Sequence, residues 1–270
     1  MSYTDQLPKQ TLRDFWEERV ALTPEREFVT CGDRTWTYGE FDEWVEQLAV
    51  GLADAGVGEG THFALLLPSG IDLFRLEWAL AKLGAVWVPA IPGSTYDESK
   101  FVIEHSRSQF LVTDAQHWQM LVAGGGLETE PHCYLVDGED RGAPNLETVV
   151  TTGRRVPPLT ETKPDSPAMI LYTSGSTGRP KGVVIRSCAY PRLGHFMDDR
   201  MQTTGEDRWY CNLPLFHGAA MMTVFPAIRS GPTPFIRPRS SPSAFPAPLP
   251  HRPPPARSPL QQTSGGRRFS

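Results

Sequence analysis

Residues 168–185 read AMILYTSGSTGRPKGVVI and fall into three parts. Ala168–Tyr172 and Gly182–Ile185 are short apolar runs, as buried strands require. Between them, Tyr172–Gly182 supplies four hydroxyls, from Thr173, Ser174, Ser176 and Thr177. Gly175 and Gly178 lack the Cβ that would keep the backbone from wrapping an anion, and successive amides in such a turn can point into one concavity. Pro180 restricts the chain and Lys181 adds a positive charge, so the stretch suits a polyphosphate. A flexible Ser/Gly linker has a similar composition, but linkers rarely join two tight apolar strands. A Walker-type loop does not fit. Lys181 is followed by Gly182, not Ser or Thr, and then by a strand where a Walker loop enters a helix.

Outward from this loop the chain alternates helical and strand patterns. Thr11 with Asp14, and Thr37 with Glu40, have the spacing of capping boxes. Each precedes an apolar stripe of helical period: Leu12, Phe15, Trp16 and Val20, then Phe41, Val45, Leu48 and Leu52. Glu27–Cys31 and Arg34–Thr37 are strand candidates. His62–Leu67 is a near-continuous apolar run, expected of a strand covered on both faces. Helix Ile71–Leu83 and strand Ala85–Pro89 follow. Further along come helix Glu98–His105, strand Gln109–Thr113, helix Ala115–Val122 and strand Cys133–Val136. Thr151–Pro167 has the texture of a connecting segment. Beyond the loop, Asp207–Leu213 is a strand candidate and His217–Arg229 a mainly apolar helix. Such alternation predicts βαβ units, a mostly parallel sheet and an α/β body.

The net charge of −5 conceals an asymmetry: residues 1–230 carry 20 basic and 31 acidic groups, whereas 231–270 carry six Arg and no acid. An acidic body argues against a nucleic-acid surface, which needs a basic footprint. Cys31, Cys133, Cys188 and Cys211 form no CxxC pair or zinc-like cluster. Met1–Thr11 has no signal-peptide pattern, and no apolar run approaches the roughly 20 residues needed to span a bilayer. A cytoplasmic protein with free thiols is the simplest reading.

After Gly231 the texture changes. Eleven of the last 40 residues are Pro, which disfavours helix interiors and central strands and predicts an extended or disordered tail. PxxP spacings such as Pro250–Pro253 could bind a protein partner, but they also arise by chance in so proline-dense a stretch.

YTSGSTGRPKGV resembles, almost position for position, the phosphate-loop motif of the adenylate-forming (AMP-binding) superfamily of acyl-CoA synthetases, luciferases and peptide-synthetase adenylation domains. Trp36–Phe41 (WTYGEF), Leu80–Pro89 (LAKLGAVWVP) and Leu213–Gly218 (LPLFHG) resemble further motifs of that family, in its order. The likeness is nearest to acid–CoA ligases of the crotonobetaine/carnitine and fatty-acid types. It implies a two-step reaction. A carboxylate attacks the α-phosphate of ATP, with Mg2+, releasing pyrophosphate; a thiol, usually coenzyme A, then displaces AMP. By this likeness Thr173, Ser174, Gly175, Ser176, Thr177 and Gly178 cradle phosphates and Lys181 assists. Phe216 and His217 match the junction of acyl tunnel and nucleotide, and His217 is the catalytic candidate. On the residues alone, His217 could equally be a helix-start or core histidine. Trp36–Phe41 and Leu80–Pro89 read as structural.

The resemblance covers about residues 10–230. The sequence therefore predicts a partial N-terminal adenylation domain over 1–230, followed by a Pro/Arg/Ser-rich tail over 231–270. The family's Y-G-x-T-E and T-G-D segments and its C-terminal Lys are not found in this chain. That predicts a ligase with little activity on its own or, alternatively, a non-catalytic ATP- or partner-binding remnant. The abrupt change of texture is expected if the tail is a frameshift product. A sheet cut after Arg229 is expected to expose an apolar edge.

Overall fold

Three threonines start helices in the same way. In the structure, a computed structural model describing residues 9–173, 179–204, 207–211, 213–231 and 233–236, Thr11, Thr37 and Thr95 are N-caps. Each forms a reciprocal capping box with the acid three residues on, satisfying amides that a helix start leaves unpaired. They open α1 (Leu12–Leu22), α2 (Tyr38–Asp54) and α4 (Tyr96–His105). The other helices are α3 (Ile71–Lys82), α5 (Ala115–Ala123), α6 (Ala189–Met201) and α7 (Gly218–Ser230), with a 3-10 turn at Leu146–Val149.

The strands are β1 (Glu27–Cys31), β2 (Arg34–Thr37), β3 (His62–Leu66), β4 (Val86–Pro89), β5 (Phe110–Thr113), β6 (His132–Leu135), β7 (Pro167–Thr173), β8 (Lys181–Arg186), β9 (Arg208–Cys211) and β10 (Thr233–Ile236). The larger sheet has the order β6-β5-β3-β4-β7-β8 and is parallel except for the β7–β8 hairpin. The smaller sheet has the order β2-β1-β10-β9. This is the expected α/β architecture.

Side-chain alternation explains the unbroken apolar strands. Phe63 and Leu65 of β3, Trp87 of β4, and Phe110 and Val112 of β5 enter one core. Ala64 and Leu66, Val88 and Leu111 from the same strands enter the core on the opposite face. A strand covered by helices on both sides has no polar face to show. The larger core is dense in aromatic rings, with Trp16 4.8 Å from Phe28 and 4.6 Å from Trp78.

The connecting segment is held by carboxylates of the body. Glu59 accepts from the amides of Thr160, Glu161 and Thr162, and these bonds with the Thr162 hydroxyl lower its pKa to about 2. Glu46 accepts from the Val156 amide at 2.6 Å while also holding the buried Lys82 ammonium at 2.7 Å.

α6 contains Pro191, but in its first turn, where a missing N–H is tolerated. Strand β10 overturns the exclusion of central strands after Gly231: it lies between β1 and β9 and contains Pro234. Its pairing with β1 involves only Phe235 and Ile236, so Pro234 precedes that ladder, while on the other side it stands opposite Trp209 of β9; proline is tolerated near the start of a strand. No described helix is long and apolar enough to cross a membrane.

Candidate functional site

In the larger sheet the chain passes from β3 to β4 on one side and then returns to place β5 on the other. Such a reversal opens a crevice at the carboxyl ends of the parallel strands, where ligands of open α/β sheets bind. Strand β7 runs parallel to β4, so the turn between β7 and β8 leaves the sheet at that same end.

Thr173 and Lys181 face each other as the last pair of this hairpin, and both are exposed. The site thus brings together a hydroxyl and an ammonium that are separated in sequence by the loop. Ser174, Gly175, Ser176, Thr177 and Gly178 lie outside the described residues. Gly182 faces Tyr172 across the ladder, and a Cβ there would come within 2.9 Å of Ile170 and 3.3 Å of the Tyr172 ring. This glycine is needed for close approach.

The Phe216-His217 pair arrives from a different direction. The Leu215 amide donates to Ser69 Oγ at 2.9 Å, tying the segment to the break after β3. Gly218, the first residue of α7, sits against Leu171 of β7: a Cβ on it would lie 3.3 Å from Leu171 Cδ2. His217 is the N-cap of α7, and its Nδ1 accepts from the Ala219 amide at 3.2 Å. The helix-start reading is therefore realised, and the exposed ring keeps Nε2 free; with Nδ1 accepting, a neutral ring carries its proton on Nε2. Phe216 is half-buried against the larger core. Met221 and Phe225 are core residues.

Two further residues meet the loop's flanks. His105 Nδ1 is hydrogen-bonded to the Tyr172 hydroxyl at 2.7 Å, and the Arg179 guanidinium lies 5.9 Å from the centre of the Phe101 ring. Sequence spacing gave no hint of either, since His105 is 67 residues from Tyr172. Among the described residues no group of His, Cys, Asp and Glu has the arrangement to hold a metal ion. All four cysteines are free thiols.

A family profile described as AMP-binding enzyme matches residues 16–250. The chain belongs to that family. The matched region runs past Gly231, where the composition changes. Among curated relatives, a probable non-canonical nonribosomal peptide synthetase, CymA of Salinispora arenicola, is 29% identical over 209 residues, covering 76% of this chain and 2% of that protein. The fold is also that of two solved proteins. The apo structure of MbtA from Mycobacterium smegmatis superposes with TM-score 0.75 at 23% identity, covering 85% of this chain and 44% of that one. A putative long-chain-fatty-acid CoA ligase from Rhodopseudomonas palustris gives TM-score 0.73 at 24% identity, with 84% and 57% covered. The chain spans at most about a third of the length of the most similar curated relatives. Its α/β body corresponds to the N-terminal portion of an adenylate-forming enzyme; peptide synthetases are among its sequence relatives, and the CoA ligase shares its fold.

Proposed function

We propose that this chain supplies the phosphate-handling part of an enzyme that uses ATP to activate a carboxylic acid as its adenylate and then passes the acyl group to a thiol. The observation that carries this reading is the β7–β8 hairpin. It sets Thr173 opposite Lys181 at the mouth of a Ser/Gly loop, at the carboxyl end of a parallel sheet. In this reading Thr173 and the loop hydroxyls and amides bind phosphate oxygens, and Lys181 offsets charge as one anion approaches another. Preorganised positive charge and donors of this kind dominate such reactions, and removing one costs about 10²–10³ in rate. In the same reading His217, whose Nδ1 is engaged by the Ala219 amide, offers its Nε2–H to the reacting groups, and Phe216 lies on the acid side. Mg2+ accompanies the nucleotide.

We take coenzyme A as the thiol, from the likeness to acid–CoA ligases. The similarity to a peptide synthetase favours a second acceptor, the thiol of a carrier protein, with an amino or aryl acid as substrate. The test is incubation with ATP, Mg2+ and a panel of fatty, aryl and amino acids, with and without coenzyme A, reading pyrophosphate, AMP and ADP. Acid-dependent pyrophosphate and AMP that disappear in Lys181→Ala are expected. Because the Y-G-x-T-E and T-G-D segments are not in this chain, turnover should lie at least about 10²-fold below the usual 1–10³ s⁻¹. ATP binding with no pyrophosphate would instead support a non-catalytic nucleotide binder, and ADP would point to phosphotransfer.

A further inference from the structure

The Ser/Gly loop is attached to one helix on both of its sides. Before the loop, Tyr172 bonds to His105 at 2.7 Å, and the two rings meet edge to face at 5.7 Å. After it, the Arg179 guanidinium lies over Phe101 at 5.9 Å. Phe101 and His105 stand four residues apart on α4, hence on one face. Their rings stack with centroids 5.0 Å apart, and Phe101 also meets the edge of Tyr172 at 6.2 Å. The Tyr172 ring in turn lies across Gly182, the first residue of β8 after Lys181.

α4 itself is firmly held. Its start is capped by Thr95, Val102 and Ile103 are buried in the second core, and Lys100 pairs with Glu104 and Glu128. A fixed helix thus bonds to the hairpin on either side of its loop.

We propose that Phe101 and His105 are positioning residues for the phosphate loop: they form an aromatic seat on α4 that fixes the hairpin mouth, and with it Thr173 and Lys181, before nucleotide arrives. The inference rests on the phosphate-loop reading above. A hydrogen bond and a cation–π contact of this exposure each change an opening equilibrium about two- to tenfold.

The test compares wild type with His105→Ala, Tyr172→Phe, Phe101→Leu and the double variant His105→Ala/Tyr172→Phe in the full chain. Amide hydrogen exchange is followed on peptides spanning 168–186 and, as a control, on α3. Exchange in the hairpin should accelerate about five- to tenfold in each single variant, with α3 unchanged. The double variant should be no faster than His105→Ala alone, because that variant already removes the bond that Tyr172→Phe breaks. His105→Gln, whose amide can accept from or donate to the Tyr172 hydroxyl, should recover part of the protection. Mg-ATP affinity, measured in parallel, should weaken several-fold in the same variants. Unchanged hairpin exchange in the single variants overturns the seat, as does equal acceleration in α3, which would mark a general stability effect. If the variants loosen the hairpin but wild type binds no Mg-ATP, the seat stands and the phosphate reading fails.

Discussion

Two charged residues of α3 are buried to similar degrees, and their surroundings give them opposite fates. The Lys82 ammonium, 2% exposed, sits 2.7 Å from both Asp42 and Glu46, and Asp42 also accepts from the Trp16 indole at 2.7 Å. Glu77, 5% exposed, has an Oε1 with no hydrogen-bond partner, beside a small cavity lined by Trp78, Trp87 and Phe225. Burial pushes the Glu77 carboxyl well above the ordinary carboxylate range. In the folded protein it therefore keeps its proton at pH values where the unfolded chain has lost it. The folded state then binds more protons, so Glu77 subtracts stability progressively as pH rises from the unfolded pKa near 4.5 towards the folded one. Glu77→Met is expected to stabilise the fold by about 1–3 kcal/mol at pH 7, with a smaller gain at pH 4. Glu77→Gln should remove the pH-dependent part while leaving an unpaired amide. Urea unfolding of the three proteins at pH 4 and pH 7 checks this, and a Glu77→Met gain that does not grow with pH would contradict it.

At the scale of elements, what could be read from sequence was what is local. The T-x-x-D and T-x-x-E spacings at Thr11 and Thr37 mark real helix starts, because a capping box involves only neighbours. The same signal at Thr95 and Glu98 places the start of α4 at Tyr96, two residues earlier than apolar periodicity alone puts it. The strands that flank the Ser/Gly stretch, β7 and β8, were legible for the same reason. The Phe101–His105 contacts were not, since a partner dozens of residues away leaves no spacing to read. β10 escaped because Pro234 looks prohibitive until its position in the strand is known. Gly51 shows the opposite failure. Inside α2 it reads as a weak residue that Ala should improve by about 1 kcal/mol. Yet the 3-10 turn at Leu146–Val149 rests on it, and a Cβ there would lie 1.6 Å from the Val149 carbonyl oxygen. Since backbone cannot yield as a side-chain tip can, Gly51→Ala should destabilise the fold by roughly 1–3 kcal/mol. A thermal melt with an unchanged or higher midpoint would show that the turn can lift away.

For the molecule as a whole, an exposed apolar edge lies at β8 among the described residues. β8 ends the larger sheet, and its Val183 and Val184 are 46% and 53% exposed. Neighbouring strand residues point to opposite faces, so both sides of this edge are apolar, and among the described residues one row of its backbone groups faces no strand. Natural edge strands are usually blunted by charge, proline or a bulge. Here the blunting is confined to the ends, at Lys181 and Arg186. Two copies meeting at β8 would bring these like charges together, so repulsion restrains association at low salt and is screened as salt rises. The chain is therefore expected to self-associate with increasing concentration, more strongly at 0.5 M than at 0.05 M salt. Val184→Lys puts a charge in the middle of the edge and should shift the population back to monomer with little change in stability, because the position is already solvent-facing. Sedimentation velocity over a concentration series at both salts measures this. A wild type that stays monomeric at the highest concentration and salt would mean that the β8 edge is not adhesive, and association unaffected by Val184→Lys would place the contact on another surface.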